Sequence, residues 1–157
     1  MTVEWLVANL DSVLILDTRK QTESYAEGHI PGAILVDVNR IRVDRKILIN
    51  MRPDAAVFQQ FMRDHGVNDD STVDITHPGE TPGQVAGAAR LYWNMKYYGF
   101  DRVSLLDGGN RAWVAPNSKN PSSLWTRSRR VTTRSVTNAP HWSQPWSRCR
   151  QRSIMIR

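Results

Sequence analysis

The 157-residue sequence predicts an open α/β domain with a mostly parallel sheet covered by helices on both faces. Three observations predict it. Apolar runs four or five residues long alternate with helical stretches along the first 115 residues. The first two, residues 13–17 and 33–36, are continuous rather than alternating, the pattern of strands buried on both faces of a parallel sheet. Helix starts and stops also fall between the runs, at Thr81 and at Gly66 and Gly99.

Taken in order, Val3, Leu6, Val7 and Leu10 repeat at helical spacing, and Asp11-Ser12 closes that segment. Residues 13–17 (VLILD) form the first strand candidate. Residues 33–36 (AILV) form the second, introduced by the turn signal Pro31-Gly32. Over residues 54–65, Val57, Phe58, Phe61 and Met62 fall on one helical stripe, which Gly66 ends as a left-handed cap. Residues 72–76 and 103–106 are the third and fourth strand candidates. Between them lies the strongest helix signal, a capping box with Thr81 at the N-cap, Pro82 at N1 and Gln84 at N3, stopped by Gly99.

Composition bounds the rest. One cysteine, Cys149, excludes an intramolecular disulfide framework and a multi-thiolate zinc site, and points to a reducing compartment. No apolar run approaches the ~18 to 20 residues of a membrane span. The opening MTVEWLVANLD lacks a basic leader segment, so a cytoplasmic address is expected. The net charge of +6 is unevenly placed: residues 1–115 hold 12 Lys/Arg against 15 Asp/Glu, and residues 116–157 hold 9 Lys/Arg and no acid. That tail is rich in Ser, Thr, Arg and Pro, and its Trp125, Trp142 and Trp146 have no aliphatic neighbours at regular spacing. It reads as a disordered basic tail, with the domain boundary near Pro116 and a frameshift or a truncated gene as its origin. Its cations and indoles are also the residue types of single-stranded nucleic-acid binding, but wrong-frame translation yields the same text, and no nucleic-acid partner is expected.

In open α/β sheets ligands bind beyond the carboxyl ends of the strands. The rule selects three loops, residues 18–21, 77–81 and 107–110. The second feeds straight into the capped helix, so backbone N–H groups and the positive helix end converge there, which suits an anion or a thiolate. Its sequence is His-Pro-Gly-Glu-Thr, without a nucleophile. The anion-binding candidates are therefore Arg19, His77, Gly79, Thr81 and Gly83. No cofactor is implied, and the four histidines show no metal spacing.

The segment Tyr25-Ala26-Glu27-Gly28-His29-Ile30-Pro31-Gly32-Ala33, preceded by Leu16-Asp17-Thr18-Arg19 and followed much later by Leu106-Asp107-Gly108-Gly109-Asn110-Arg111-Ala112-Trp113, resembles the motif set of rhodanese domains in order and spacing. The resemblance covers roughly residues 3–115 and implies a rhodanese-like fold. Leu91-Tyr92-Trp93 with Lys96-Tyr97-Tyr98-Gly99 further resembles the N-terminal half of tandem thiosulfate or 3-mercaptopyruvate sulfurtransferases. In such proteins the second domain carries the persulfide-forming cysteine, so the implied partner is a second rhodanese domain absent from this chain. The implied ligand is a small sulfur-containing anion, and no membrane partner is implied. As family-motif residues, Asp17, Tyr25, His29, Pro31, Gly32, Asp107, Gly108, Gly109 and Trp113 are expected to be structural.

One departure bears on activity. The catalytic cysteine of an active rhodanese loop falls here on or beside His77, which cannot hold a stable persulfide. A related phosphatase activity would need a cysteine and an arginine framing the same loop, and neither stands there. Cys149, among Arg148, Arg150 and Arg152, lacks a loop-to-helix setting. Asp74, in a strand that favours Val or Ile, is at a sheet edge, paired, or a lesion.

Other residues have bland readings beside the sharp ones. Arg19 either meets an anionic substrate or pairs with Glu23 or Asp17. Asp17 fixes the strand end through loop amides, His29 anchors a turn, and His65 sits favourably at a helix C-terminus. Two functions follow as expectations. One is a sulfurtransferase-family domain that supports a catalytic partner domain; the other is a non-catalytic anion-binding or regulatory module. Both predict no sulfur transfer by this polypeptide alone.

Overall fold

The computed structural model describes residues 1–117. The tail from residue 118 onward, with Cys149, His141, Trp125, Trp142 and Trp146, lies outside the described residues. The elements run α1 (Val3–Ala8), β1 (Leu14–Asp17), α2 (Thr22–Glu27), β2 (Ile34–Leu35), a 3-10 turn (Val38–Ile41), β3 (Val43–Arg45), β4 (Leu48–Met51), α3 (Ala55–Asp64), β5 (Val73–Thr76), α4 (Pro82–Tyr97), β6 (Val103–Leu105) and α5 (Gly109–Asn117).

Four strands form one sheet in the order β2-β1-β5-β6, and every neighbouring pair is parallel. Leu14 pairs with Val73 and Leu16 with Ile75, so the central strands β1 and β5 are in register over their whole length. The four strand candidates are these four strands, trimmed by a residue or so at the ends.

Because side chains alternate across a strand, the sheet builds two cores. Leu16, Val73 and Ile75 face Phe58, Phe61, Met62, Leu91 and Met95 of α3 and α4. Val13 and Ile15 face Leu6 of α1 and Trp113 of α5, with Ile30 and Leu106 closing the layer. Helices therefore cover both faces. Trp113 is fully buried, which ties α5 to the sheet; this helix runs to Asn117, just past the boundary read near Pro116.

Helix ends follow their chemistry. Gly66 (φ 77°) and Gly99 (φ 87°) adopt the left-handed conformation. Beyond them, Val67 N donates to Met62 O at 3.1 Å and Phe100 N to Met95 O at 2.9 Å, the six-to-one bond that closes a glycine-capped helix.

Asp74 lies on β5, between two neighbouring strands, which removes the sheet-edge reading. It is fully buried, and Ser104 Oγ on β6 donates to its Oδ1 at 2.8 Å. Its Oδ2 has no hydrogen-bond partner, and burial raises its pKa above the usual carboxylate value, opposed by the Ser104 bond. The strand forms regardless: Val73 and Ile75 are fully buried on the opposite face, and each contributes roughly 1.5 to 3 kcal/mol, which offsets one strained carboxylate.

The antiparallel hairpin β3-β4 is a feature that sequence periodicity did not reveal. Its turn passes through Lys46 at φ 49°, without a glycine.

Candidate functional site

The carboxyl ends of β1 and β5 deliver Asp17, Thr76 and their following loops to one place. Asp17 is fully buried and organises a polar network. Arg19 meets it three ways: its backbone N donates to Oδ1 at 3.0 Å, its Nε donates to Oδ2 at 2.8 Å, and a terminal guanidinium nitrogen lies 2.7 Å from Oδ2 as an ion pair. From α5, Asn110 Nδ2 also donates to Asp17 Oδ2, at 3.1 Å. Thr76 Oγ1 donates to Asn110 Oδ1 at 2.8 Å, and Thr18 Oγ1 to Thr76 O at 2.9 Å. Three loops are thus tied together through one carboxylate and one carboxamide.

Of the two ion-pair partners open to Arg19, the structure selects Asp17 rather than Glu23. The same guanidinium donates to the backbone carbonyls of Ser24 and Gly28, at 2.8 and 2.9 Å. Those contacts hold both the body and the end of α2. A guanidinium so committed has little left to offer a ligand, although its edge reaches the cavity described below.

The Tyr25 to Ala33 segment is a folded unit. His29 stacks on the Tyr25 ring with centroids 4.0 Å apart and planes 7° apart, and its Nδ1 lies 2.9 Å from Tyr25 O. Tyr25 Oη donates to Ala33 O, and burial lifts the phenol pKa, with Asp17 adding to the rise. Pro31 and Gly32 (φ 77°) make the tight turn closed by Ala33 N to Ile30 O at 2.9 Å.

His77 follows β5 and is buried. Its carbonyl accepts from Asn110 N at 2.7 Å, while its Nδ1 has no hydrogen-bond partner. Burial pushes the imidazole below its ordinary pKa, opposed by the Asp17 carboxylate. The ring lies against Gly109, where a Cβ would sit 2.2 Å from His77 O and 2.7 Å from Nδ1. Gly79 likewise meets Gly108 O, 2.7 Å from where its Cβ would be, and a Cβ at Gly108 itself would sit 2.6 Å from that of Ala112. The glycines bring the β5 and β6 loops into backbone contact. Asp107 enters α5 from an exposed turn, its amide donating to Met1 O at 2.8 Å.

Thr81 and Gly83 lie exposed at the start of α4. The amides of Glu80 and Thr81 both donate to Gln84 Oε1, at 2.9 and 3.1 Å. The carboxamide oxygen sits where a bound anion would collect these N–H groups, so the chain satisfies this helix end itself. A cavity of about 760 Å³ opens between α2, the β5 loop and α5. Arg19, Glu27, Glu80, Gln84, Asn110 and Arg111 are among its lining residues; His77, Gly79, Thr81 and Gly83 are not. Asn110 is a site residue that the sequence did not single out, being an ordinary polar residue inside a motif chosen for its neighbours, and Gln84, expected only as a cap, also lines the site.

The family model of the rhodanese-like domain matches residues 2–116. The chain belongs to that family. Among curated relatives of this rhodanese-like domain, the 3-mercaptopyruvate sulfurtransferase of Escherichia coli (strain K12) is 29% identical over 121 residues, covering 70% of the chain and 42% of the relative. The putative thiosulfate sulfurtransferase of Mycobacterium leprae is 34% identical over 116 residues, covering 72% of the chain and 39% of the relative. The solved 3-mercaptopyruvate sulfotransferase of E. coli superposes with a TM-score of 0.62 at 25% identity, over 80% of this chain and 49% of that one. The chain thus spans about two fifths of the length of these curated relatives. No helix among the described residues is long and apolar enough to cross a membrane.

Proposed function

We propose that this rhodanese-like domain is the non-catalytic first half of a thiosulfate or 3-mercaptopyruvate sulfurtransferase. In the complete protein a second rhodanese-like domain would take sulfane sulfur onto its own cysteine and pass it to a thiophilic acceptor such as cyanide. One observation carries the reading. The loop from β5 into α4 reads His77-Pro78-Gly79-Glu80-Thr81, without a thiol, and the amides of Glu80 and Thr81 are spent on Gln84.

The same geometry weighs against an independent anion-binding module. Arg19 is neutralised by Asp17, and the remaining charged groups named on the cavity wall, Glu27, Glu80 and Arg111, are not predominantly cationic. What the network does supply is rigidity: Asp17, Arg19 and Asn110 hold three loops in one arrangement, as a scaffold half requires.

The test is turnover with thiosulfate and cyanide, and with 3-mercaptopyruvate and a thiol, by the purified 157-residue chain and its Cys149→Ser variant. Neither protein is expected to turn over. Sulfur transfer that survives Cys149→Ser would overturn the proposal.

A further inference from the structure

The cavity between α2, the β5 loop and α5 carries two sets of polar groups. The inner set is spent inside the chain: Arg19 on Asp17 and on the carbonyls of Ser24 and Gly28, Asn110 on Asp17 and Thr76, and Gln84 on the loop amides. The outer set is not. Glu27 from α2 and Arg111 from α5, both exposed on the cavity wall, make no side-chain hydrogen bond or ion pair with any described residue. Glu80, the other acid there, accepts from Gln84 Nε2 at 3.4 Å. Two opposite charges therefore face one space of about 760 Å³ without closing on each other.

Their separation is fixed by the Asp17 network. The residue after Glu27 is Gly28, whose carbonyl accepts from Arg19 at 2.9 Å. The residue before Arg111 is Asn110, whose carboxamide donates to Asp17 at 3.1 Å. Charges spaced in advance bind a matching ligand at less cost in ordering. Each charge is also set against its own helix. Glu27 is the last residue of α2 and Arg111 lies in the first turn of α5, whereas helix ends favour anions at the N-terminus and cations at the C-terminus. Placements that break a local rule without a compensating contact are expected at functional sites.

We propose that this cavity binds a di- or tripeptide with free termini, its ammonium on Glu27 and its carboxylate on Arg111. Such a ligand satisfies each side chain and the helix end behind it together, and a guanidinium takes a carboxylate through two parallel bonds. Because the two wall charges do not reach each other, the ligand's charges must be apart as well, which disfavours a single α-amino acid. Gln21, on the α2 wall and with no side-chain bond of its own, suits the ligand's peptide group, and Pro78, Val114 and Ala115 give its body an apolar wall. The inference goes beyond the proposed function and does not rest on it, since neither a persulfide nor a second domain takes part.

The test titrates the isotope-labelled 157-residue chain with glycylglycine and triglycine and follows the backbone amides of Gly28 and of residues 110–115 by NMR. Saturable shifts are expected with triglycine or glycylglycine, and N-acetylated and C-amidated forms of the same peptide should bind roughly tenfold more weakly. Glu27→Gln should erase the difference between the free and the N-acetylated peptide, and Arg111→Gln that between the free and the amidated one. Both side chains are exposed, so thermal unfolding should not change. No shifts with either peptide, blocked forms that bind as well as the free ones, or glycine that binds as tightly as triglycine would overturn the proposal. Thiosulfate or methylammonium shifting the same amides as strongly as the peptides would also overturn it, by making the cavity a site for one sign of charge.

Discussion

Arg19 and Asp17, two residues apart in sequence, meet at 2.7 Å with both side chains buried, and the arginine spans from the end of β1 to the carbonyl that ends α2. An ion pair of this kind can cost as much to desolvate as it returns, but removing one partner leaves a buried charge alone. Arg19→Ala is therefore expected to destabilise the chain by about 3 to 5 kcal/mol, measured by urea unfolding. Arg19→Met with Asp17→Asn should recover part of the loss. A loss under about 1 kcal/mol would place Arg19 outside the scaffold and return it to ligand binding.

Asp74 gives a pH dependence of opposite sign to that of a salt-bridged carboxylate. Its pKa is raised in the folded state by burial, so the folded chain holds the proton more tightly than the unfolded one. Stability is then greatest below the ordinary carboxylate pKa and falls as pH rises from there through the raised value. Asp74→Asn should stabilise the chain at pH 7 and lose that advantage toward pH 4. Urea titrations of both proteins across this range check the slope, and an Asp74→Asn variant less stable at pH 7 would show that Asp74 is needed as an anion.

Two glycines separate crowding from backbone strain. At Gly66 (φ 77°) nothing lies near an added Cβ, so Gly66→Ala should cost only the left-handed penalty, about 1 to 2 kcal/mol. At Gly109 (φ 59°) the Cβ would strike His77 O at 2.2 Å. The clash adds an overpacking cost of about 1 to 3 kcal/mol to the same penalty. Gly109→Ala should be the worse by thermal unfolding, and equal effects would mean that the β5 loop yields freely.

The parts of this fold legible in the sequence were those with one dominant physical cause. Residues 13–17 read as a strand because both faces are covered, which leaves the apolar run from Val13 to Leu16 uninterrupted, whereas residues 72–76 read as one despite Asp74 in their middle. The glycine stops at Gly66 and Gly99 read correctly because positive φ is cheap for glycine alone. The β3-β4 hairpin escaped because its turn uses Lys46, and its strands carry no alternation when both faces of a two-stranded ribbon meet solvent. In the site, Asp17 and Arg19 stood out, but the choice between Glu23 and Asp17 as partner depended on where α2 turns. Asn110 escaped because its role exists only once α5 sits over the end of β5. Gln84 was read as a cap, which it is; that the same cap occupies amides an anion would use needed the loop's geometry.

That relationship makes the last prediction. A cysteine at a loop-to-helix junction is activated when nearby amides and the helix end stabilise its thiolate. At position 77 burial opposes the charge, as the depressed imidazole pKa shows for a cation, and the Glu80 and Thr81 amides are already bonded to Gln84 Oε1. A thiol introduced by His77→Cys, in a Cys149→Ser background, should therefore titrate at or above the ordinary ~8.5 of free cysteine. The pH dependence of its alkylation by iodoacetamide measures this. Adding Gln84→Ala frees both amides and should lower that pKa, at a capping cost of about 0.5 to 2 kcal/mol in α4. An introduced thiol that already titrates well below 8.5 with Gln84 in place would show that the capped loop still activates a nucleophile, and that the missing cysteine alone separates this domain from a working sulfurtransferase site.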